Sequence, residues 1–247
     1  MAVVTGVFGA IAESYDEVRP GYPAELGPAI LDYHGSVPTS VVEIGAGTGK
    51  GTQLLVGLGA PVTCIEPDAG MAAVLRTRFP DVQVHAETFE RWVPPSGGVP
   101  MLACALAWHW LDPATRNQRA HAALTPGGTL AVLGHKYDHA DPGHARAIHA
   151  ALRVLDPTVQ ERAADWFHSD IIDSGLFADV RPHVVTRHVE LSKEGYLKLM
   201  QTFGPFRTRS SELQRRGVEA VGAALDGLGG GTTLAVRTTL VLARRPA

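Results

Sequence analysis

A glycine-rich turn is the part of this chain best suited to hold a ligand. In VEIGAGTG (residues 42–49), Gly45, Gly47 and Gly49 occupy alternate positions directly after an apolar run. Glycine adopts positive φ without strain and has no Cβ, so a ligand could lie against the backbone here. Glu43 precedes the turn, and its carboxylate suits a cationic ligand group such as an amine or a sulfonium. A tight strand-to-helix turn that binds nothing would give the same pattern.

Two familiar phosphate-binding patterns do not fit this turn. A P-loop needs a glycine five residues before Gly49 and a Ser or Thr after the lysine, but the chain has Ile44 and Gly51 there. The dinucleotide pattern G-x-G-x-x-G needs a third glycine where the chain has Lys50. The turn therefore favours a ligand other than a nucleoside triphosphate or a nicotinamide dinucleotide.

A carboxylate ends the next apolar run. Glu66 lies in VTCIEPDAGM (62–71), 23 residues after Glu43. An acid at the end of a second parallel strand can accept hydrogen bonds from both hydroxyls of a ribose. Alone, such an acid more often faces the N-terminus of the following helix. After a glycine-rich turn at this spacing, we expect the ribose role.

The third apolar run ends in HAETFERW (85–92), which offers groups that could recognise adenine. Glu87 could accept from an exocyclic amine, the Thr88 backbone N–H could donate to a ring nitrogen, and Phe89 could flank the base. A solvated turn explains the same residues without a ligand. Together the three strand ends predict a slot for an amino acid, a ribose and an adenine.

Two histidines follow later strands and are candidate general bases. His109 lies in AWHWLDP (107–113), and His135 closes the run GTLAVLGH (128–135). Imidazole titrates near neutrality and could remove a proton from an acceptor. Both could equally be structural. The histidines of HKYDHADPGHARAIH (135–149) lack the close spacing of a metal motif, so we predict no metal site.

The order of elements predicts the fold that positions these residues. Near-continuous apolar runs at 40–45, 61–67, 82–86, 101–108 and 128–135 read as buried parallel strands. Helices are predicted at 49–59, 69–79 and 113–124 between them. Residues 136–175 look helical, and 192–203 and 209–228 are further helices. Alternating residues at 179–191 and 232–245 indicate a late antiparallel pair. The class is α/β, with a doubly wound sheet.

Composition narrows the range of partners. The chain has 247 residues, 45% of them hydrophobic, and a net charge of −3. This balance gives no reason to expect nucleic acid or an anionic membrane as a partner. We find no membrane span and no signal peptide pattern. With only two cysteines, Cys64 and Cys104, both in predicted strands, we expect a reduced, cytoplasmic protein.

These residues together resemble the class I S-adenosylmethionine (SAM) dependent methyltransferases. The matching stretches are VVEIGAGTG, CIEPDAGM, HAETFE, ACALAWHWLDP and ALTPGGTLAVLGH, in that order. ESYDEVRPGYP (13–23) with AWHWLDP is similar to a bacterial subgroup that includes trans-aconitate-methyltransferase-like enzymes. The resemblance implies a Rossmann-like seven-stranded sheet, mostly parallel, with an antiparallel last strand inserted between the fifth and sixth. It also implies that one strand separates the two cysteines, which excludes a disulfide.

The resemblance also implies site residues and one domain with three parts. The parts are an N-terminal helical lid (1–35), a SAM-binding core (36–135) and a substrate side (136–247). Ala107 should approach the methionine moiety, Tyr22 and its neighbours should cover it, and Ala46 replaces a frequent cysteine. The cofactor residues are then Tyr15, Arg19, Glu43, Gly45, Ala46, Gly47, Gly49, Glu66, Pro67, Met71, Glu87, Thr88, Phe89 and Ala107. Arg19 could pair with the cofactor carboxylate or with a surface acid.

Three functional hypotheses follow. The first is a SAM-dependent methyltransferase that acts on an O, N or C atom of a small-molecule acceptor and releases S-adenosylhomocysteine (SAH), either as a monomer or as a homodimer. The second is a SAM-binding regulatory member of the same fold that transfers no methyl group. The third is a nicotinamide-dependent oxidoreductase. Tyr196, Met200, Phe203 and Phe206 could line an apolar acceptor pocket or belong to the core.

Overall fold

One mixed β-sheet forms the centre of the molecule. The computed structural model describes residues 8–153 and 165–247, and within these ranges seven strands pair into a single sheet. The strands are β1 (Val41–Ile44), β2 (Val62–Ile65), β3 (Gln83–His85), β4 (Val99–Ala105), β5 (Leu124–His139), β6 (Ala178–Ser192) and β7 (Gly231–Arg244). Their spatial order is β3-β2-β1-β4-β5-β7-β6.

The strand directions confirm the predicted α/β class. β1 pairs in parallel with β2 and β4, β3 joins β2, and β5 joins β4. β7 lies between β5 and β6 and is antiparallel to both. From β1 the chain places β2 and β3 on one side, and then returns to place β4 and β5 on the other side of β1. In open α/β sheets this switch point opens a crevice at the carboxyl ends of the strands.

Helices cover both faces of the sheet. In the described ranges they are α1 (Ala12–Val18), α2 (Leu26–His34), α3 (Lys50–Val56), α4 (Ala69–Arg78), α5 (Arg116–Ala123), α6 (Pro142–Leu152), α7 (Trp166–Asp173), α8 (Lys193–Met200), α9 (Gly204–Arg207) and α10 (Ser211–Gly227). Two short 3-10 turns occur at Gly9–Ile11 and Trp108–Trp110. None of these helices is both long and apolar enough to cross a lipid bilayer.

The first strand shows why the early runs are continuously apolar. All four residues of β1 are buried. Val42 and Ile44 pack into the core on one face, and Val41 packs into the core on the other. A strand covered by helices on both faces has no face exposed to solvent, so apolar and polar residues do not alternate along it.

The end of β5 and the start of the helical region after it differ from the prediction. β5 continues to His139, four residues beyond the predicted end, because β7 pairs with it as far as His139 opposite Leu234. Residues 136–139 are therefore strand, whereas 136–175 was predicted to be helical; α6 and α7 account for the helical parts that the structure describes. Residues 154–164 of that prediction, and 1–7 of the predicted lid, lie outside the described residues.

The predicted lid also ends earlier than residue 35. Leu26, Ile30 and Tyr33 of α2 are buried in the core formed with α3 and the sheet. A helix that fills the core of the sheet is a poor candidate for a movable cover. Only the segment before it, residues 8–22, remains over the carboxyl edge of the strands, and we call this the lid segment.

The cysteines lie where the resemblance implied. Cys64 is on β2 and Cys104 on β4, and β1 runs between these strands. Both thiols are buried and free. Burial raises the pKa of both thiols, so they remain neutral parts of the core.

Candidate active site

A large cavity opens at the switch point of the sheet. Its volume is about 620 Å³, within the usual range for small-molecule sites. The ends of β1, β2, β4 and β5 form its floor, and the lid segment and residues 203–208 cover it. The predicted site residues that line it are Tyr15, Arg19, Gly45, Ala46, Gly47, Glu66, Pro67, Met71, Thr88, Phe89, Ala107, His109 and His135.

The glycine turn presents bare backbone to this cavity. Gly45 and Gly47 line it with φ of 64° and 60°. A Cβ on Gly45 would lie 2.4 Å from the Ala107 Cβ, so this glycine allows the turn after β4 to approach closely. A Cβ on Gly47 would meet no atom within 4 Å, which leaves that space open to a ligand.

The third glycine of the turn has a different role from the one predicted. Gly49 does not line the cavity but precedes α3 with φ of 93°. A Cβ there would lie 2.6 Å from Phe79 Cε2 and 2.8 Å from Leu75 Cδ1. Gly49 is therefore required for packing of the turn against α4, and the prediction of a cofactor contact is not supported by its position.

The turn after β4 carries unusual backbone geometry. Leu106 has φ of 56°, a conformation that costs a residue with a Cβ about 1 kcal/mol or more. Its N–H donates to the Leu133 carbonyl at 2.9 Å, which helps to hold it there. The strained residue turns the chain so that Ala107 packs against Gly45. Strain of this kind is common at ligand sites, and no feature of the local sequence predicts it.

Glu66 lies in the wall of the cavity, as the sequence predicted. Its Oε2 accepts from the Gly47 N–H at 2.7 Å, and its Oε1 accepts from the Asp68 N–H at 2.8 Å. Each oxygen keeps a second lone pair for a ligand hydroxyl. Burial raises the pKa of Glu66, and the two backbone hydrogen bonds oppose that shift. The carboxylate thus bridges the glycine turn and the end of β2.

Asp68 was not among the predicted site residues, although it lines the cavity. Its Oδ1 accepts from the Gly70 and Met71 N–H groups and caps α4. Its Oδ2 accepts from the Gly9 N–H at 3.2 Å and so fastens the lid segment. The capping pattern of Asp followed by an apolar helix is visible in the sequence, whereas the contact across 59 residues is not.

Glu43 lies behind the glycine turn and not at the cavity surface. It is fully buried, and its Oε2 accepts from Thr52 Oγ1 at 2.5 Å and from Cys64 Sγ at 3.7 Å. A Cβ on Gly51 would lie 2.3 Å from Glu43 Oε1, so α3 covers the carboxyl. Burial raises the pKa of Glu43 to about 8, so it is mostly a neutral acid at pH 7. Glu43 therefore offers no exposed carboxylate to the cationic ligand group that the sequence led us to expect.

The end of β3 supplies part of the predicted adenine site. Thr88 and Phe89 line the cavity, and the Phe89 ring stacks on Trp92 with centroids 6.2 Å apart. Glu87 does not reach the cavity. Its Oε1 lies 3.5 Å from His85 Nδ1 on the partly exposed surface, so the predicted contact with an adenine amine is absent from this arrangement. Glu90, which was not predicted, lines the cavity instead.

The lid segment is clamped to the elements beneath it. Asp16 Oδ1 accepts from Thr48 Oγ1 at 2.9 Å and from Arg78 Nη1 at 2.6 Å, and Lys50 Nζ lies 3.3 Å away. Thr48 and Lys50 belong to the glycine turn and the start of α3, and Arg78 ends α4. The glycine turn, whose backbone lines the cavity, thus also holds a charged residue of the lid segment.

Arg19 lies among aromatic rings at the other end of the lid segment. Its guanidinium lies 4.4 Å from the Phe203 ring centroid, 5.0 Å from Tyr15 and 5.7 Å from Tyr137. Its Nε donates to Thr202 Oγ1 at 2.8 Å and its Nη2 to the Thr202 carbonyl at 3.0 Å. The contacts of Arg19 with Tyr137 and Phe203 join residues far apart in the chain, and local sequence could not predict them.

His135 lines the cavity but is poorly suited to act as a base. Its ring stacks on Tyr22 with centroids 4.4 Å apart, and its Nδ1 lies 2.9 Å from Thr238 Oγ1. Burial, with the charges of Arg187 and Arg19, lowers the pKa of His135 to about 3. An imidazole this weakly basic takes up protons poorly at neutral pH.

His109 lies at the cavity mouth, next to an aromatic wall. It is exposed, and its ring lies 4.8 Å from that of Trp110, which also lines the cavity and contacts Phe8 at 5.9 Å. Side chains of α5 and α7 hold the 3-10 turn that carries His109 and Trp110. Asp170 of α7 accepts from Trp108 Nε1 at 2.9 Å and from Arg116 Nε at 3.0 Å.

The four candidate acceptor-pocket residues divide between cavity and core. Phe203 lines the cavity. Tyr196, Met200 and Phe206 are buried in the core beneath α8 and α10. Residues 8–153 and 165–247 contain no group of three or more His, Cys, Asp or Glu side chains placed to hold an ion.

Comparison with known proteins identifies the domain. Residues 41–128 match the family model of a methyltransferase domain. Residues 41–128 form a methyltransferase domain. This domain covers β1 to the start of β5, which includes the glycine turn, Glu66 and the end of β3. The rest of the cavity, including the lid segment and residues 203–208, lies outside it.

Relatives of known sequence agree with this assignment. An uncharacterized methyltransferase of Mycobacterium tuberculosis is 34% identical over 131 residues, which is 53% of this chain and 53% of that protein. The trans-aconitate 2-methyltransferase of Rhizobium meliloti is 37% identical over 93 residues, 36% of each chain. The matches thus span about half, or less, of these relatives' length.

Solved structures share the fold of the methyltransferase domain and of its surroundings. A candidate type II methyltransferase from Anaeromyxobacter dehalogenans has a TM-score of 0.63 at 17% identity and covers 93% of this chain and 99% of that one. Phosphoethanolamine N-methyltransferase 2 of Haemonchus contortus, in complex with phosphomonomethylethanolamine and SAH, has a TM-score of 0.56 at 15% identity and covers 97% and 58%. At these identities the likeness shows the fold alone.

Proposed function

We propose that this chain binds SAM in the cavity at the switch point and transfers its methyl group to an O, N or C atom of a small-molecule acceptor. The observation that carries the proposal is the position of Glu66. Its carboxylate lies in the cavity wall, joined by a hydrogen bond to the backbone of Gly47, whose missing Cβ leaves open space. Bare backbone next to a buried carboxylate suits an amino-acid end followed by a ribose.

The residues around Glu66 fit the rest of this cofactor. Gly45, Ala46 and Gly47 would hold the methionine part, Glu66 the ribose, and Thr88 with Phe89 the adenine. When bound, SAM supplies a methyl group already activated on a sulfonium. The carboxylate at Glu66 offers the acceptors that two ribose hydroxyls need, and the apolar Met71 and Phe89 offer surfaces for a flat base.

The contribution of the protein would then be positioning and exclusion of water. Lid residues Phe8 and Tyr15, together with Phe203, line the cavity. Aromatic walls hold an acceptor in one orientation and keep water away from it, which favours an in-line displacement. Because His135 is weakly basic, we propose that the acceptor reacts without its help; His109 at the mouth is the candidate that remains if a proton must be removed.

Relatives support a small acceptor. One is named a trans-aconitate 2-methyltransferase, and one structural neighbour holds phosphomonomethylethanolamine with SAH. The net charge of −3 also fits a small molecule better than a nucleic acid. A cytoplasmic location, where buried thiols stay reduced, completes the proposal.

A transfer assay tests this function. The protein is incubated with methyl-labelled SAM and a small-molecule extract from which macromolecules have been removed, and label is sought in new low-mass products. We expect a labelled product that is absent with Glu66→Gln. If SAH binds but no extract ever yields a labelled product, the chain is a SAM-binding regulatory protein. If neither SAM nor SAH binds, the proposed function is wrong.

A further inference from the structure

Arg19 is a half-buried cation whose contacts within residues 8–153 and 165–247 include no carboxylate. Its contacts among the described residues are Thr202, the Tyr137 hydroxyl and the three aromatic rings of Tyr15, Tyr137 and Phe203. Removing a guanidinium from water is costly unless an anion or a full set of hydrogen bonds compensates. The rings and neutral oxygens offset part of that cost. An anion in the adjoining cavity would offset more.

The guanidinium has two donors left for such an anion. It carries five N–H groups. Nε and Nη2 each direct one to Thr202, and Nη1 directs one to the Tyr137 hydroxyl at 3.4 Å. One N–H therefore remains on each terminal nitrogen. Two N–H groups from adjacent nitrogens match the two oxygens of a carboxylate, which is the planar pairing that arginine favours.

Arg19 lies at the β5 side of the cavity, whereas the glycine turn lies at the β1 side. Tyr137 belongs to β5, and Thr202 and Phe203 follow α8. The glycine turn follows β1, and β4 lies between β1 and β5. At about 4.8 Å per strand step, β1 and β5 are roughly 10 Å apart. A carboxylate beside Arg19 would thus lie toward the acceptor side of the cavity, away from the backbone of Gly45 and Gly47.

Other groups at this end of the cavity also favour an anion. Arg187 of β6 donates from Nη2 to the Gly21 carbonyl at 2.5 Å, directly before Tyr22. Burial, with the charges of Arg187 and Arg19, lowers the pKa of His135 beneath Tyr22, so its ring adds no positive charge at neutral pH. The acids that line the cavity at β2, Glu66 and Asp68, are occupied by backbone N–H groups there. Two arginines thus lie at this end of the cavity, whereas Glu66 and Asp68 lie at the β2 end.

From these contacts we infer that Arg19 binds a carboxylate of the methyl acceptor, and that Thr202 positions Arg19 for it. The inference rests on the proposed function and names its acceptor class: a carboxylic acid with a flat, apolar body that fits among aromatic rings. It replaces the interpretation of Arg19 as the partner of the cofactor carboxylate. Lys50, which also lines the cavity, is paired with Asp16. We therefore expect the acceptor to present one negative charge, to Arg19.

The first experiment decides whose carboxylate Arg19 binds. Calorimetry measures SAH and 5′-methylthioadenosine, which lacks the amino-acid part, on the wild type, Arg19→Gln and Arg215→Gln. Arg215 is an exposed arginine of α10 and serves as the charge control. We expect SAH affinity to stay within about twofold in Arg19→Gln. If SAH affinity falls toward that of 5′-methylthioadenosine while the latter is unchanged, Arg19 binds the cofactor and the inference is wrong.

The second experiment tests the acceptor class directly. The SAH-loaded protein is titrated with benzoate, trans-cinnamate and hexanoate, and with the primary amide of each. We expect at least one acid to bind about tenfold or more tightly than its amide, as for a charge-assisted pair. Arg19→Gln should abolish that preference, and Arg215→Gln should keep it. Equal binding of every acid and its amide, or no acid binding, would overturn the inference.

Thr202 is tested by a conservative pair. Thr202→Val keeps the volume but removes the oxygen that accepts from Arg19 Nε, and Thr202→Ser keeps the oxygen. We expect the acid preference to fall several-fold in the valine variant and to be retained in the serine variant, with similar melting temperatures for both. An equal loss in both variants would assign Thr202 a packing role only. Failure of the wild type to bind SAH would instead identify the proposed function as the error.

Discussion

At the scale of single residues, Glu66 carries the largest part of the proposed cofactor site. We expect Glu66→Gln to lower SAH affinity by roughly 10- to 100-fold, because the amide loses charge and cannot accept on both sides. Its NH2 group would also face one of the backbone N–H groups of Gly47 and Asp68. Isothermal titration calorimetry with SAH measures the change.

Glu87 is the matched control for Glu66. Both acids end strands, and the sequence assigns both to the cofactor, but only Glu66 lines the cavity. We expect Glu87→Gln to leave SAH affinity unchanged within about twofold. A loss comparable to that of Glu66→Gln would show that Glu87 turns inward when the cofactor binds.

Gly47 offers a test of the open space above the backbone. Gly47→Ala and Gly59→Ala both place a Cβ at positive φ with no atom within 4 Å, so each should cost about 1 kcal/mol or more of stability. Only Gly47 lines the cavity. We expect SAH affinity to fall about tenfold or more in Gly47→Ala alone, measured by calorimetry beside thermal melts. Equal affinities would mean that the ligand does not lie on this backbone.

Glu43 should make stability depend on pH. Burial raises its folded pKa to about 8 from the ordinary 4.5, so between these values the unfolded chain gives up the proton first. Stability from this group is therefore present below about pH 4.5 and is lost as pH rises toward 8. We expect Glu43→Gln to remove this loss and to exceed the wild type by a few kcal/mol at pH 8. Denaturant unfolding at pH 5 and pH 8 measures it; a constant difference between the two proteins at both pH values would contradict the assignment.

At the scale of elements, Asp16 holds the middle of the lid segment to the elements beneath it. Asp16 accepts from Thr48 and Arg78 and lies next to Lys50. These contacts join α1 to the glycine turn, α3 and α4. We expect Asp16→Asn to raise the dissociation rate of SAH roughly three- to tenfold, because a partly exposed ion pair is worth about 1 kcal/mol. Stopped-flow displacement measures the rate.

The control for this prediction is Asp226→Asn, which removes the exposed pair between α10 and Lys193. It should leave the SAH dissociation rate unchanged. If Asp16→Asn behaves in the same way, the lid segment does not control release of the cofactor.

Elements with a strong local pattern were predictable from the sequence. The apolar runs of β1, β2 and β4 and the glycine turn follow from periodicity and turn chemistry, because burial on both faces leaves few alternatives. The polar end of β5 was not predictable, since residues 136–139 are strand only through pairing with β7.

Individual side-chain roles were predictable only where the chain is locally constrained. Glu66 follows β2, next to the glycine turn, so its position beside that turn could be predicted from the order of the strands. Glu43 lies opposite Cys64 of β2 and Ala103 of β4, and only the assembled sheet buries it. The contact between Arg19 and Thr202 joins residues 183 positions apart, for which a single sequence carries no signal.

At the scale of the whole molecule, the proposed cofactor contacts and the proposed acceptor contacts lie at the ends of different strands of the sheet. The ends of β1, β2 and β3 carry the proposed cofactor contacts within the methyltransferase domain of residues 41–128. β5, the lid segment and residues 202–208 build the proposed acceptor side outside it. A homodimer remains a prediction that no contact of this chain tests.

A crystal structure of the protein grown with SAH tests the central claim most directly. We predict SAH at the switch point, with ribose oxygens within hydrogen-bond distance of Glu66, the amino-acid part over Gly45 and Gly47, and adenine against Phe89. The Arg19 guanidinium should remain clear of the SAH carboxylate. SAH bound elsewhere, or in the cavity without contact to Glu66, would contradict the account.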